Sequence, residues 1–223
     1  MKSAIENFTL AEKYRMEGKL SKAIEQYQKI LKVHPESIPA LMNLGNIYFM
    51  LGQINNSIKT YNKVLEYKPK FGYASYRLAI SHYRAAQFTK AIDIFVKIIE
   101  TDPELYMAHN WLGLCYYHIG DEQKSIEEYT KLLEHTSEPF IIHYHRAIAY
   151  KSKGETDKAI EDLQFVIETY PEHVSALYHL GLAYLQKHQI FKAIQLFRKV
   201  LKLDPKHKGA AEKIEYLTDV PSI

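Results

Sequence analysis

The chain has 223 residues, 47% of them apolar and 25% charged. That balance is globular and excludes disorder, which needs low hydrophobicity together with high net charge. A formal charge of only +3 argues against a strong nucleic-acid footprint, and a single cysteine, Cys115, excludes an intramolecular disulfide framework and every cysteine-cluster metal site.

From Met1 to Phe8 there is no apolar run of signal-peptide length, and Glu6 and Glu12 interrupt the start. No stretch approaches the roughly 18 apolar residues that a spanning helix requires. The expectation is a soluble, cytoplasmic protein with no membrane insertion.

Prolines then set a period. Pro35, Pro69, Pro103, Pro171 and Pro205 are separated by 34, 34, 68 and 34 residues. A fixed spacing of this size signals a repeat array. In that register the units are 4–37, 38–71, 72–105, 106–139, 140–173 and 174–207, with 208–223 left over.

Each unit predicts two helices in turn. Position 7 reads Leu10, Leu44, Leu78, Leu112, Arg146, Leu180, and position 11 reads Tyr14, Tyr48, His82, Tyr116, Tyr150, Tyr184. Four residues apart, these columns share one face of a first helix. Position 15 is Gly18, Gly52, Ala86, Gly120, Gly154 and His188, the left-handed stop that glycine suits. Position 20 (Ala or Ser) and position 24 (Tyr27, Tyr61, Phe95, Tyr129, Leu163, Phe197) mark the inner face of a second helix. Small residues at positions 8 and 20 allow close helix approach, and the proline at position 32 ends the second helix. Such a hairpin cannot bury its apolar face alone; stacked neighbours bury it. Residues 208–218 predict a closing helix, with Ala211, Ile214 and Leu217 or Thr218 covering the last unit and a short tail after it.

The Leu, Gly/Ala, Tyr, Ala, aromatic and Pro columns over residues 4–207 resemble the tetratricopeptide repeat family. The large aromatic of that family at position 4 is absent, with Asn7, Leu41, Ser75, His109, His143 and Leu177 in its place. The resemblance implies an all-α, right-handed superhelical solenoid of six helix-turn-helix units with a C-terminal capping helix. It also implies a binding scaffold with no chemistry of its own, whose concave groove takes an extended peptide or a helix. Groove positions inferred from the family give a peptide site of Asn43, Asn46, Tyr76, Arg77, Tyr83, Arg84, Asn110, Trp111, Tyr117, Tyr144, His145, Tyr178 and His179. Arg15, Arg77, Arg84 and Lys151 against Glu12 would place the net charge in the groove. Aromatic, Met and Arg side chains dominate binding hot spots. Arginine suits an acidic or C-terminal carboxylate partner, and the Asn amides suit peptide backbone.

The carboxylate clamp of heat-shock co-chaperones is not reproduced. Asn43 and Arg77 match it, whereas Phe8, Glu12 and Tyr73 do not, and Glu12 would repel a carboxylate. His145 and His179 share a column in adjacent units and predict affinity that changes between pH 5.5 and 7.5. Arg146 is a charge in a leucine column, with Glu155, Glu161 or Asp162 as candidate partners. Phe165, Phe191, Ile94 and Leu196 map to outer positions, which raises self-association as a further reading. Aromatic–basic alternation raises another, a single-stranded nucleic-acid binder. No GxGxxG, GxxxxGK[ST] or GxSxG is present, and Cys115 reads as a packed thiol, so no enzyme activity, metal or cofactor is expected.

Overall fold

The computed structural model describes residues 3–135, 137 and 139–219. The last four residues of the expected tail, 220–223, lie outside the described residues. Among the described residues there are thirteen α-helices and no strand. The chain divides between Trp111 and Leu112 into two compact units.

The first unit holds α1 (Ala4–Met16), α2 (Leu20–Val33), α3 (Ile38–Met50), α4 (Ile54–Tyr67), α5 (Gly72–Arg84) and α6 (Phe88–Thr101). Each packs on its neighbour in sequence. Next comes α7 (Met107–His118), which runs through the division. The second unit continues with α8 (Glu122–Leu133), α9 (Pro139–Lys153), α10 (Thr156–Thr169), α11 (Val174–Gln186), α12 (Ile190–Leu203) and α13 (Lys208–Thr218). Here too neighbours in sequence pack together.

The periodic columns form the interior. Every residue at positions 20 and 24 is buried, from Ala23 and Tyr27 to Ala193 and Phe197. A buried aromatic of this kind contributes roughly 1.5–3 kcal/mol by leaving water. Position 8 must be small because position 24 lies against it. A Cβ built on Gly45 would stand 2.7 Å from the Tyr61 ring, and one on Gly181 2.7 Å from the Phe197 ring. The turn glycines are left-handed as expected: Gly18, Gly52, Gly120 and Gly154 have φ of 72°, 71°, 77° and 85°. The two exceptions in that column hold the same conformation without glycine, Ala86 at 56° and His188 at 57°.

Pro139 is the first residue of α9, where its missing N–H and fixed φ suit a helix start. Two expectations are corrected in detail. In α13 the covering residues are Ala210, Ile214 and Leu217, while Ala211 and Thr218 are exposed. Among the residues expected outside, Phe191 is exposed, but Ile94 and Leu196 are half-buried and pack against the cores of their own units. Phe165 is exposed as expected, with one side against the His143 ring, centroids 4.2 Å apart.

Arg146 resolves its own anomaly. Asp162, one of the three candidate acids, receives its Nε and Nη2 at 2.8 Å each. Thr130 accepts from Nη1 at 3.1 Å, and His143 Nδ1 donates to the same carboxylate at 2.6 Å. The charge in the leucine column is therefore tied to a buried acid from the next helix.

Candidate interaction faces

In the first unit, α1, α3 and α5 supply the expected face. Its acid is neutralised internally. Arg15 Nη2 reaches Glu12 at 2.6 Å, Asn43 Nδ2 donates to it at 3.0 Å, and the Tyr27 hydroxyl donates as well. The Arg15 hydrogen bond is the largest cause holding the Glu12 carboxyl below its ordinary value. Asn46 accepts from the Tyr61 hydroxyl at 2.7 Å. Asn43 and Asn46 thus already serve the fold.

The arginines of the same face are differently placed. The Arg77 guanidinium stands 4.6 Å from the Phe49 ring centroid, and that of Arg84 stands 5.0 Å from it. Arg77 Nε also donates to the Tyr61 hydroxyl at 3.3 Å. Among the described residues neither arginine has a carboxylate partner. Cation–π attraction holds them over a ring while leaving their N–H groups largely uncommitted. Trp111 Nε1 donates to the Tyr76 hydroxyl at 2.9 Å, and the Tyr83 ring meets Trp111 edge-on at 5.2 Å. Asn110 is half-buried, and its Oδ1 has no hydrogen-bond partner among the described residues.

In the second unit the face is made of tyrosine and histidine. Tyr144 lies 6.0 Å from the His179 ring and 5.3 Å from that of His173. Tyr178 lies 5.6 Å from His179 and 4.6 Å from His207. His173 and His207 are also helix N-caps, accepting from the amides of Ala176 and Ala210. Tyr117 accepts from Ser152 at 3.4 Å. Tyr178 is packed against Gly209 of α13, where a Cβ would come within 2.6 Å of its hydroxyl.

One cation stands in this face. Lys151 Nζ is 3.0 Å from His179 Nδ1. An ammonium can only donate, so the imidazole accepts at Nδ1 and is neutral. Burial, then Lys151 and His207, push His179 down to about 4. Burial pushes His145 down too, and its Nδ1 is buried with no hydrogen-bond partner among the described residues. His179 therefore titrates below the expected window of pH 5.5–7.5, with His145 moved in the same direction. Cys115 is fully buried and its thiol is pushed up to about 12 by desolvation, which suits packing and not nucleophilic attack.

The expected set thus falls into two groups, eight residues from Asn43 to Trp111 in the first unit and five from Tyr117 to His179 in the second. Phe49 stands outside the thirteen expected residues, although the family's groove positions include it. What makes it a platform is the direction of two arginine side chains, which spacing does not encode.

The comparisons with known proteins agree with the helical hairpins. The family model described as tetratricopeptide repeat matches residues 76–138 and 144–208. The chain belongs to the tetratricopeptide repeat family. Further repeat models of the family match residues 38–71 and 11–52. No curated protein matches the chain. Among solved structures, YrrB, titled a TPR protein with an unusual peptide-binding site, is 19% identical at a TM-score of 0.69, covering 83% of this chain and 96% of its own. The MamA protein is 23% identical at a TM-score of 0.69, covering 85% and 99%. A tetratricopeptide repeat protein from Parabacteroides merdae is 20% identical at 0.67, covering 96% and 84%. At these identities the likeness is one of fold, an all-α tetratricopeptide repeat solenoid. No described helix is long and apolar enough to cross a membrane.

Proposed function

We propose that this tetratricopeptide repeat protein is an interaction scaffold, without catalysis of its own, that holds an acidic peptide or a chain-terminal carboxylate. The observation that carries this reading is that Arg77, Arg84 and Lys151 stand among aromatic rings with no carboxylate partner among the described residues. Cations withdrawn from water are ordinarily paired, and Arg77 and Lys151 are half-buried, whereas Arg84 is exposed. An unpaired guanidinium over a ring can donate two hydrogen bonds to a carboxylate while the ring packs against the ligand's stem. The titled peptide-binding site of YrrB supports the same class of ligand. Assembly of a larger complex would be the cellular use of such a scaffold.

The test is a peptide array with acidic and neutral sequences, each with free and amidated C-termini. Acidic or free-carboxylate peptides are expected to bind, and Arg77→Gln/Arg84→Gln to weaken them about 10- to 100-fold, as for hydrogen bonds to charged groups. Binding that ignores peptide charge and both substitutions would remove the reading. Single-stranded RNA serves as the control, since strong salt-dependent binding would favour the nucleic-acid class instead.

A further inference from the structure

The first unit contains a cavity of about 940 Å³ that none of the expected interface residues except Tyr76 touches. One repeat column contributes to it. Position 4 carries a fully buried leucine in two units, Leu41 and Leu177, but in the third it carries Ser75, which lines the cavity. The space is bounded by α4, α5, α6 and the segment leading into α7.

Its walls have two chemistries. Leu78 and Ile98 are buried and form the floor, and Ile94 and Leu105 continue the apolar surface. Lys70, Lys97 and Asp102 also line it and are exposed, so they stand at the mouth, with apolar stems inward and charges in water. None of the three has an ion-pair partner among the described residues. Two ammonium groups against one carboxylate leave the mouth a single net positive charge.

Size and charge together select an occupant. An engineered cavity left by one truncated core side chain is about 150 Å³, so this space far exceeds one inserted side chain. It lies in the range of roughly 300–1,000 Å³ that holds whole small ligands. An apolar interior asks for an apolar body, and a net single positive charge asks for a monovalent anion. We propose that this cavity is a binding site for a small amphipathic carboxylate, with its apolar body among Leu78, Ile94, Ile98 and Leu105 and its carboxylate at Lys70 and Lys97. The site stands independently of the peptide reading.

Trp111 is a built-in reporter. It is the only tryptophan of the chain and donates to the hydroxyl of Tyr76, which lines the cavity. The full chain is titrated with decanoate, decanol and decyltrimethylammonium below their micellar concentrations. Tryptophan fluorescence and calorimetry are the readouts. Decanoate is expected to saturate at one molecule per chain, about fivefold tighter than decanol, as suits charge pairs open to solvent. Decyltrimethylammonium is expected to bind more weakly than either. Lys70→Gln/Lys97→Gln brings decanoate down to the level of decanol, and Ser75→Phe, which puts a ring into the apolar part of the space, weakens both. Equal binding of decanoate and decanol overturns the proposal and marks a plain apolar socket for a partner's side chains. Undiminished decanoate binding to folded Ser75→Phe overturns it as well. Should Ser75→Phe fail to fold by circular dichroism, the lysine pair and Ser75→Leu decide the matter.

Discussion

The two units build the same hairpins and differ in where they put charge. In the first, position 7 of the later two repeats is a buried leucine, Leu44 and Leu78, and the cations Arg77 and Arg84 lie out on the face above Phe49. In the second, Arg146 takes a place in the leucine column and is locked to Asp162, while the face carries Lys151 among imidazoles. Guanidinium keeps its charge at every accessible pH, whereas imidazole does not. One unit therefore presents a fixed positive face and keeps its leucine column free of charge. The other has a salt bridge within its packing and a face whose charge depends on pH. Positions 8, 20 and 24 cannot vary in this way, because the Tyr61 and Phe197 rings leave no room at Gly45 and Gly181. Packing constrains those columns, and the chemistry diverges in the columns that packing leaves free.

The largest expected effect breaks this comparison at Asp162. Asp162→Ala strands Arg146, whose side chain is only 17% exposed, and removes the acceptor of His143. Leaving a buried charge without its partner costs about 3–5 kcal/mol. Urea unfolding followed by circular dichroism is expected to show that loss. Arg146→Leu/Asp162→Leu, which gives the second unit the leucine of the first, should recover most of it. A loss below about 1 kcal/mol for Asp162→Ala, the level of an exposed pair, would show that solvent reaches the pair and that the two interiors do not differ in kind.

Much of this architecture was legible in the sequence. The period of 34, the left-handed column and the buried aromatics were all readable, because backbone geometry and burial recur with the repeat. The faces were less so. Asn43 and Asn46 look like free amides in a column listing, yet Glu12 and the Tyr61 hydroxyl occupy them. Those bonds come from residues 31 and 15 positions away, and they depend on side-chain direction within a shared interior. The cavity at Ser75 was hidden for the same reason. A missing side chain is visible in one column, but whether its neighbours close over the gap is not.

A smaller effect separates the units by pH. His179, at about 4 in the folded chain, lies below its ordinary 6.5, so the unfolded chain binds the extra proton first. Its contribution is therefore present above pH 6.5, is lost as pH falls from 6.5 toward 4, and changes no further below. Discounted for the water that still reaches the ring, the loss is on the order of 1 kcal/mol. Glu12 of the first unit is shifted the other way relative to its charge. Its carboxylate contribution persists above 4.5 and declines only as pH drops through its lowered value. Hydrogen exchange measured from pH 7 to 4 is expected to show α9 and α11 loosening before α1 and α3. His179→Gln should abolish the second unit's early loss. A wild-type profile flat between pH 6.5 and 4.5 would remove the distinction.

The smallest effect asks whether the units are alike where they should be. Ala86 and His188 occupy the left-handed column, one in each unit, with φ of 56° and 57°. A side chain in that region costs roughly 1–2 kcal/mol, and glycine returns about 0.5–1 kcal/mol of it as extra backbone freedom in the unfolded chain. Ala86→Gly and His188→Gly should each stabilise by roughly 0.5–1 kcal/mol, a rise of about 1–4 °C in melting temperature for a chain of this size. Both residues are exposed, so little packing is lost with the side chain. Equal gains would show that the turn column obeys backbone geometry alone in both units. A gain at Ala86 with none at His188 would mean that the imidazole has a stabilising contact of its own, which would extend the second unit's reliance on histidine from its face into its scaffold.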